Sequence, residues 1–145
     1  MYERFTDRCR KVMAMANQAA IDRNQETIGT EHILLALLNE GTGVGATVLK
    51  AIVGDLSNLR SVLENSMTAG AHKFDAKKLP LSDDAKKLIQ DATEEGRSMN
   101  HNYVGTEHLL LGFLHQPDSV AAKALRHFDL SLNQLRKGVL DLLGC

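Results

Sequence analysis

The chain repeats itself. Ile28-Gly29-Thr30-Glu31-His32-Ile33-Leu34-Leu35-Ala36-Leu37-Leu38 returns as Val104-Gly105-Thr106-Glu107-His108-Leu109-Leu110-Leu111-Gly112-Phe113-Leu114, a displacement of 76 positions from Gly29 to Gly105. Without a gap, the same displacement pairs Asp7 with Asp83, Lys11 with Lys87, Ala16 with Ala92, Asn24 with Asn100, Val44 with Val120, Leu49 with Leu125 and Leu56 with Leu132. A repeat this long is a complete supersecondary unit, and two such units pack through equivalent faces to bury what neither buries alone. A surface group that acts in one half can act twice.

Each half reads as four helices. Phe5, Cys9, Val12, Met13, Ala16 and Ala20 recur at three- and four-residue steps, one face of a first helix capped by Thr6 with Asp7 in its first turn. Ser82 followed by Asp83 and Asp84 gives the same start in the second half. Second helices are expected from Thr30 to the Gly41-Thr42-Gly43 break and from Thr106 to before Pro117. Third helices run from Thr42 or Val44 to about Val53 and from Asp118 to about Phe128, and fourth helices follow Asp55 and Ser131 as caps. No alternating strand pattern competes. The expected fold is all-α, eight helices arranged as two pseudo-twofold-related four-helix repeats: repeat one 1–65, a linker 66–79 and repeat two 80–145. Small and polar residues dominate the linker, which carries Gly70, His72 and Asp75, with Met67, Phe74 and Leu79 as its large apolar groups.

At 145 residues the chain is one ordinary domain, or two small lobes sharing a core, and needs neither disulfide nor metal for stability. Its two cysteines, Cys9 and Cys145, fit a reducing compartment, and the start at Met1-Tyr2-Glu3-Arg4 leads straight into helix; a cytoplasmic or stromal location is expected. No apolar run is long enough to span a bilayer, so no membrane partner is expected. Seventeen Lys+Arg against eighteen Asp+Glu supply no global field for nucleic acid. The aromatic residues, 4% of the chain, do not interleave with a basic stripe, so nucleic-acid binding is not expected either.

The duplicated Gly-Thr-Glu-His element is the most specific motif. Gly permits a close approach, Thr caps, and Glu meets the positive end of the helix. Such a start needs only Gly-Thr-acidic, so the identity of Glu31-His32 and Glu107-His108 in two otherwise divergent copies demands more: fold support or contact with a ligand. Zinc binding of the His-Glu-x-x-His kind fails because Ala36 and Gly112 stand one turn after His32 and His108. Gly41-Thr42-Gly43-Val44-Gly45 follows a helix and lacks a Gly-Lys-Ser/Thr ending, so it is a turn and not a phosphate loop. Cys9 lies on the core face and is Ala85 in the other copy, which leaves no nucleophile and no catalytic residue to nominate.

With this duplicated element, the opening Arg4-Phe5-Thr6-Asp7-Arg8 and the closing Leu140-Asp141-Leu142-Leu143-Gly144, the sequence resembles the N-terminal domain of the ClpC/ClpA class of AAA+ protein unfoldases over its whole length, and within that class ClpC most. The resemblance implies a non-catalytic module that receives protein substrates and adaptor proteins for a hexameric ATP-driven ring working with a ClpP-type peptidase. It implies no cofactor in this domain, ATP binding elsewhere, and a monomeric isolated domain. A stand-alone accessory protein that regulates such a ring is the alternative. The ClpC branch further implies recognition of arginine-phosphorylated clients, with Glu31 and Glu107 engaging the guanidinium and Thr6 and Ser82 as weaker candidates for the phosphate. The loops after the second helices depart from the family's Glu-Gly-Glu-Gly-Val-Ala-Ala: Glu40-Gly41-Thr42-Gly43-Val44-Gly45-Ala46, and then Gln116-Pro117-Asp118-Ser119-Val120-Ala121-Ala122.

Overall fold

Eight helices and the turns between them make up the described residues of the computed structural model, 2–73 and 77–144; Met1, Phe74, Asp75, Ala76 and Cys145 lie outside them. The helices are α1 (Asp7–Asp22), α2 (Thr30–Glu40), α3 (Val44–Val53), α4 (Ser57–Ser66), α5 (Asp83–Ser98), α6 (Thr106–Phe113), α7 (Val120–His127) and α8 (Leu132–Leu143). Thr6 and Ser82 cap α1 and α5, their hydroxyls accepting from the N–H groups of Cys9 and Ala85 at 3.1 Å each.

Two expected boundaries move. Asp55 is not the cap of α4: it sits one residue further out, where its carboxylate accepts from the Ser57 N–H at 2.9 Å and the Ser57 hydroxyl at 2.7 Å. At the matching place Ser131 does cap α8, accepting from the Gln134 N–H at 3.2 Å. Helix α7 starts at Val120 and not at Asp118, because Ser119 takes the cap position and accepts from the Ala122 N–H at 3.2 Å.

The two repeats interlock through their third helices. Within each repeat the first helix packs on the second, α1 on α2 and α5 on α6. Helix α3 then crosses to α6 and α8 of the other repeat, and α7 crosses reciprocally to α2 and α4. Ala46, Val48 and Leu49 from α3, and Ala121, Ala124 and Leu125 from α7, join a single buried core with Leu34, Leu37, Leu109 and Leu110. Neither four-helix unit closes its own core; each needs the partner's third helix.

Short backbone pairings complete the exchange. Val104 donates to the Arg4 carbonyl at 2.8 Å and accepts from the Thr6 N–H at 3.0 Å; Ile28 donates to the Pro80 carbonyl and accepts from the Ser82 N–H, both at 2.9 Å. Each isolated bridge joins the residue before a first helix to the loop before the other repeat's second helix. Among the described residues no single helix is long and apolar enough to cross a membrane; α2 with α3 reaches the length but is bent by 85°.

Candidate functional site

The tertiary structure separates the roles within Gly-Thr-Glu-His. Gly29 and Gly105 occupy the cap positions of α2 and α6 in extended backbone. A Cβ on either would collide with Oε1 of Glu31 or Glu107, so glycine leaves space for the carboxylate to fold back over the helix start. Contrary to the expectation from sequence, the threonines do not cap their own helices: glycine holds the cap and threonine is the first helical residue. Each instead caps the third helix of the other repeat: Thr106 Oγ1 accepts from the Gly45 N–H at 3.0 Å, and Thr30 Oγ1 from the Ala121 N–H at 3.3 Å. Thr106 is also the reason Gly45 is glycine, since a Cβ there would lie 2.7 Å from the Thr106 carbonyl oxygen.

The histidines are fold support. Gly29 N–H donates to His32 Nδ1 at 2.8 Å and Gly105 N–H to His108 Nδ1 at 2.9 Å, the back-bond that Glu or Gln makes in an ordinary capping box. An imidazole nitrogen accepts only while unprotonated. Burial first, with Arg23 also acting, lowers the His32 pKa against the opposing pull of Glu31; burial and His101 push His108 down to about 4. With Nδ1 accepting, His108 Nε2 carries the proton and donates to His101 Nδ1 at 2.9 Å.

The glutamates are left over. Glu107 is 5% exposed, and its carboxylate has no hydrogen bond or ion pair among the described residues. Glu31 is freer, its side chain 21% exposed; its Oε1 lies 4.0 Å from His32 Nδ1, which is neutral and already accepts from Gly29. Both carboxylates face open cavities, where an entering cation gains a charge-assisted partner.

The backbone bridges decide which candidates meet. Thr6 joins Glu107, and Ser82 joins Glu31, so each site is built across the repeats. The first lines a cavity of about 670 Å³ together with Asp7, Arg8, Lys11, Glu40 and Tyr103. The second, about 200 Å³, also holds Gln25, Thr27 and Asp84. Lys11 and Tyr103 carry no motif of their own and Arg8 only ends the opening Arg4–Arg8 stretch; the bridge between Phe5 and Val104 brings them to the site. Glu40 is tied to its own loop: its carboxylate accepts from the Thr42 N–H at 3.0 Å, the Thr42 hydroxyl at 2.6 Å and the Gly43 N–H at 3.1 Å, with Arg8 Nε 3.8 Å away. Against the opposing effect of burial, these contacts hold its carboxyl below the usual range.

Elsewhere, a groove of about 740 Å³ runs between α1 and the end of the linker, floored by Met13, Leu79 and Leu81 and rimmed by Arg10, Lys77 and Lys86. It holds none of the Gly-Thr-Glu-His residues. Cys9 is buried, and burial together with the Glu107 carboxylate pushes its thiol up to about 12, an inert group. No set of three His, Cys, Asp or Glu side chains among the described residues is placed to hold a metal ion.

An all-α pseudo-symmetric bundle whose most specific residues line two surface cavities is the architecture of a binding module. The chain belongs to the Clp repeat (R) N-terminal domain family, which it matches over residues 4–144. It is 38% identical over 144 residues to the chaperone protein ClpB of Oceanobacillus iheyensis and 39% identical over 144 residues to the negative regulator of genetic competence ClpC/MecB of Bacillus subtilis. In both comparisons 99% of this chain is aligned but only 18% of the relative, so the chain spans about a fifth of these proteins. Its fold matches the N-domain of ClpV from Vibrio cholerae with a TM-score of 0.83 at 17% identity, covering 97% of this chain and 86% of that one.

Proposed function

We propose that this chain is the substrate- and adaptor-receiving N-terminal module of a cytoplasmic, ClpC-type ATP-driven unfoldase working with a ClpP-type peptidase, and that it recognises arginine-phosphorylated clients. The module itself binds no cofactor, and ATP is used elsewhere in the assembly. In isolation it is a monomer. The observation that carries the reading is the Glu107 carboxylate, held at the start of α6 in the wall of an open cavity beside Thr6, Arg8 and Lys11. A carboxylate accepts paired N–H bonds from a planar guanidinium, and charge-assisted bonds of that kind are roughly twice as strong as neutral ones. Glu31 offers the same group in the smaller cavity.

The phosphate end has partners too. The oxygens of Thr6 and Ser82 already accept from Cys9 and Ala85, so their hydroxyl protons are available to donate. They sit at the N-termini of sixteen-residue helices, whose partial positive charge favours an anion.

Titration of the chain with free phosphoarginine, followed by calorimetry and by amide chemical shifts, tests the reading. Saturable binding that disappears in a Glu31→Gln/Glu107→Gln double variant is the expected result. An identical response from both proteins refutes the assigned sites.

A further inference from the structure

The two cavities are related by the repeat but no longer share their charge. Thr6 and Ser82, Thr106 and Thr30, Val44 and Val120, and Glu107 and Glu31 are retained in register. The difference lies in the cations. Arg8 lines the Glu107 cavity, and its counterpart in the Glu31 cavity is Asp84. Lys11 lines the first cavity as well, whereas its counterpart Lys87 is drawn away to Asp91 at 2.7 Å and lines neither. Arg23, which acts electrostatically on His32, donates to the Ala19 carbonyl at 3.3 Å and is not in the wall of the Glu31 cavity. The Glu31 cavity therefore presents two carboxylates and no cation, with His32 held neutral.

The Glu107 cavity holds acids as well: Asp7, in the first turn of α1, offsets one of the two cations for an incoming anion, whereas Glu40 is already engaged. The Glu40 carboxylate is saturated by Thr42 and Gly43 and lies under Arg8. Arg8 itself is 53% exposed and among the described residues holds only this 3.8 Å contact, so its guanidinium can turn to a ligand. The buried Glu107 carboxylate at the back and the cations at the mouth suit a ligand that is cationic at its tip and anionic next to it.

We propose that the duplicated site is specialised: the Glu107 cavity alone accepts a guanidinium that carries a phosphate, and Asp84 closes the Glu31 cavity to that anion. This rests on the recognition reading above and adds that one chain holds one such ligand. Exchanging Arg for Asp changes the local charge by two, and a phosphate brings about −1.5 to −2. Even at solvent-like dielectric and a separation of ~8 Å, the difference is worth roughly tenfold or more in affinity.

Calorimetry of the whole chain with free phosphoarginine, with NMR shift mapping, separates the cases. The expected result is one equivalent bound, shifts confined to amides around Thr6, Gly105 and Glu107, and at least tenfold weaker binding by Arg8→Asp. Asp84→Arg should then add a second equivalent, which adding Glu31→Gln removes again. Asp84 is exposed, and only its carbonyl is bonded, to Gln116 at 2.8 Å, so the fold tolerates the change. Two equivalents of similar affinity in the unaltered chain, or no gain with a folded Asp84→Arg protein, overturns the specialisation and leaves the recognition reading standing. No binding by any variant refutes the recognition reading itself, and the division with it.

Discussion

Acidification should unfold this domain partly through one buried imidazole, His108. The side chain is 0% exposed; Nδ1 accepts from the Gly105 N–H at 2.9 Å, and Nε2 meets His101 at 2.9 Å. Burial and the neighbouring His101, opposed by Glu95, take its pKa from 6.5 down to about 4. The folded state thus resists a proton that the unfolded chain accepts near pH 6.5. The stability contributed by the neutral ring is fully present above that pH and drains away as the pH falls towards 4, below which both states are protonated. A gap of this size corresponds to about 3 kcal/mol in full, and to about 2 kcal/mol between pH 7 and pH 4.5. Against a total of ~5–15 kcal/mol for a domain, that is a measurable share.

Urea unfolding followed by circular dichroism at a series of pH values measures it, with His108→Gln as comparison. Glutamine at this third helical position can make the same bond to the cap N–H and does not titrate. Glu40 and Glu95, both held below the usual carboxylate range, also lose stabilising charge on acidification, but they do so in both proteins. The difference between the two stability curves should therefore change by about 2 kcal/mol between pH 7 and pH 4.5, the wild type falling more steeply. Parallel curves would mean that the His108 ring is not held neutral by the fold.

Thr106→Val keeps the side-chain shape but deletes the acceptor that caps α3 from the other repeat, leaving the Gly45 N–H buried without a partner. A loss of about 1–2 kcal/mol, seen as a fall of several degrees in Tm by calorimetry, is expected. Gly105→Ala should do the reverse of a structural mutation. Its backbone is extended and tolerates alanine, and the atom in the way is the end of the flexible Glu107 side chain. Stability should change by less than about 1 kcal/mol while phosphoarginine binding falls, since the carboxylate must leave its place; a titration with full affinity would show that the folded-back rotamer of Glu107 is irrelevant.

The eight helices, the repeat and most of the boundaries were legible along the chain, because helix periodicity and capping are set by residues three or four apart. Thr6 and Ser82 were legible as caps for that reason, and Asp55 misled by one position because an acidic residue can satisfy the first-turn N–H from just outside the cap. The identity of Glu-His in both copies announced a demand without saying which residue met it. Long-range packing settled the rest: histidine serves the fold while glutamate faces a cavity, the motif threonines cap the opposite repeat, and Thr6 belongs with Glu107 and Ser82 with Glu31. These pairings follow from α3 and α7 crossing between repeats and from the backbone bridges at Val104 and Ile28. Contacts between residues some fifty to a hundred positions apart are fixed by burying a shared core, and no local pattern along a single chain encodes which partner that burial brings near.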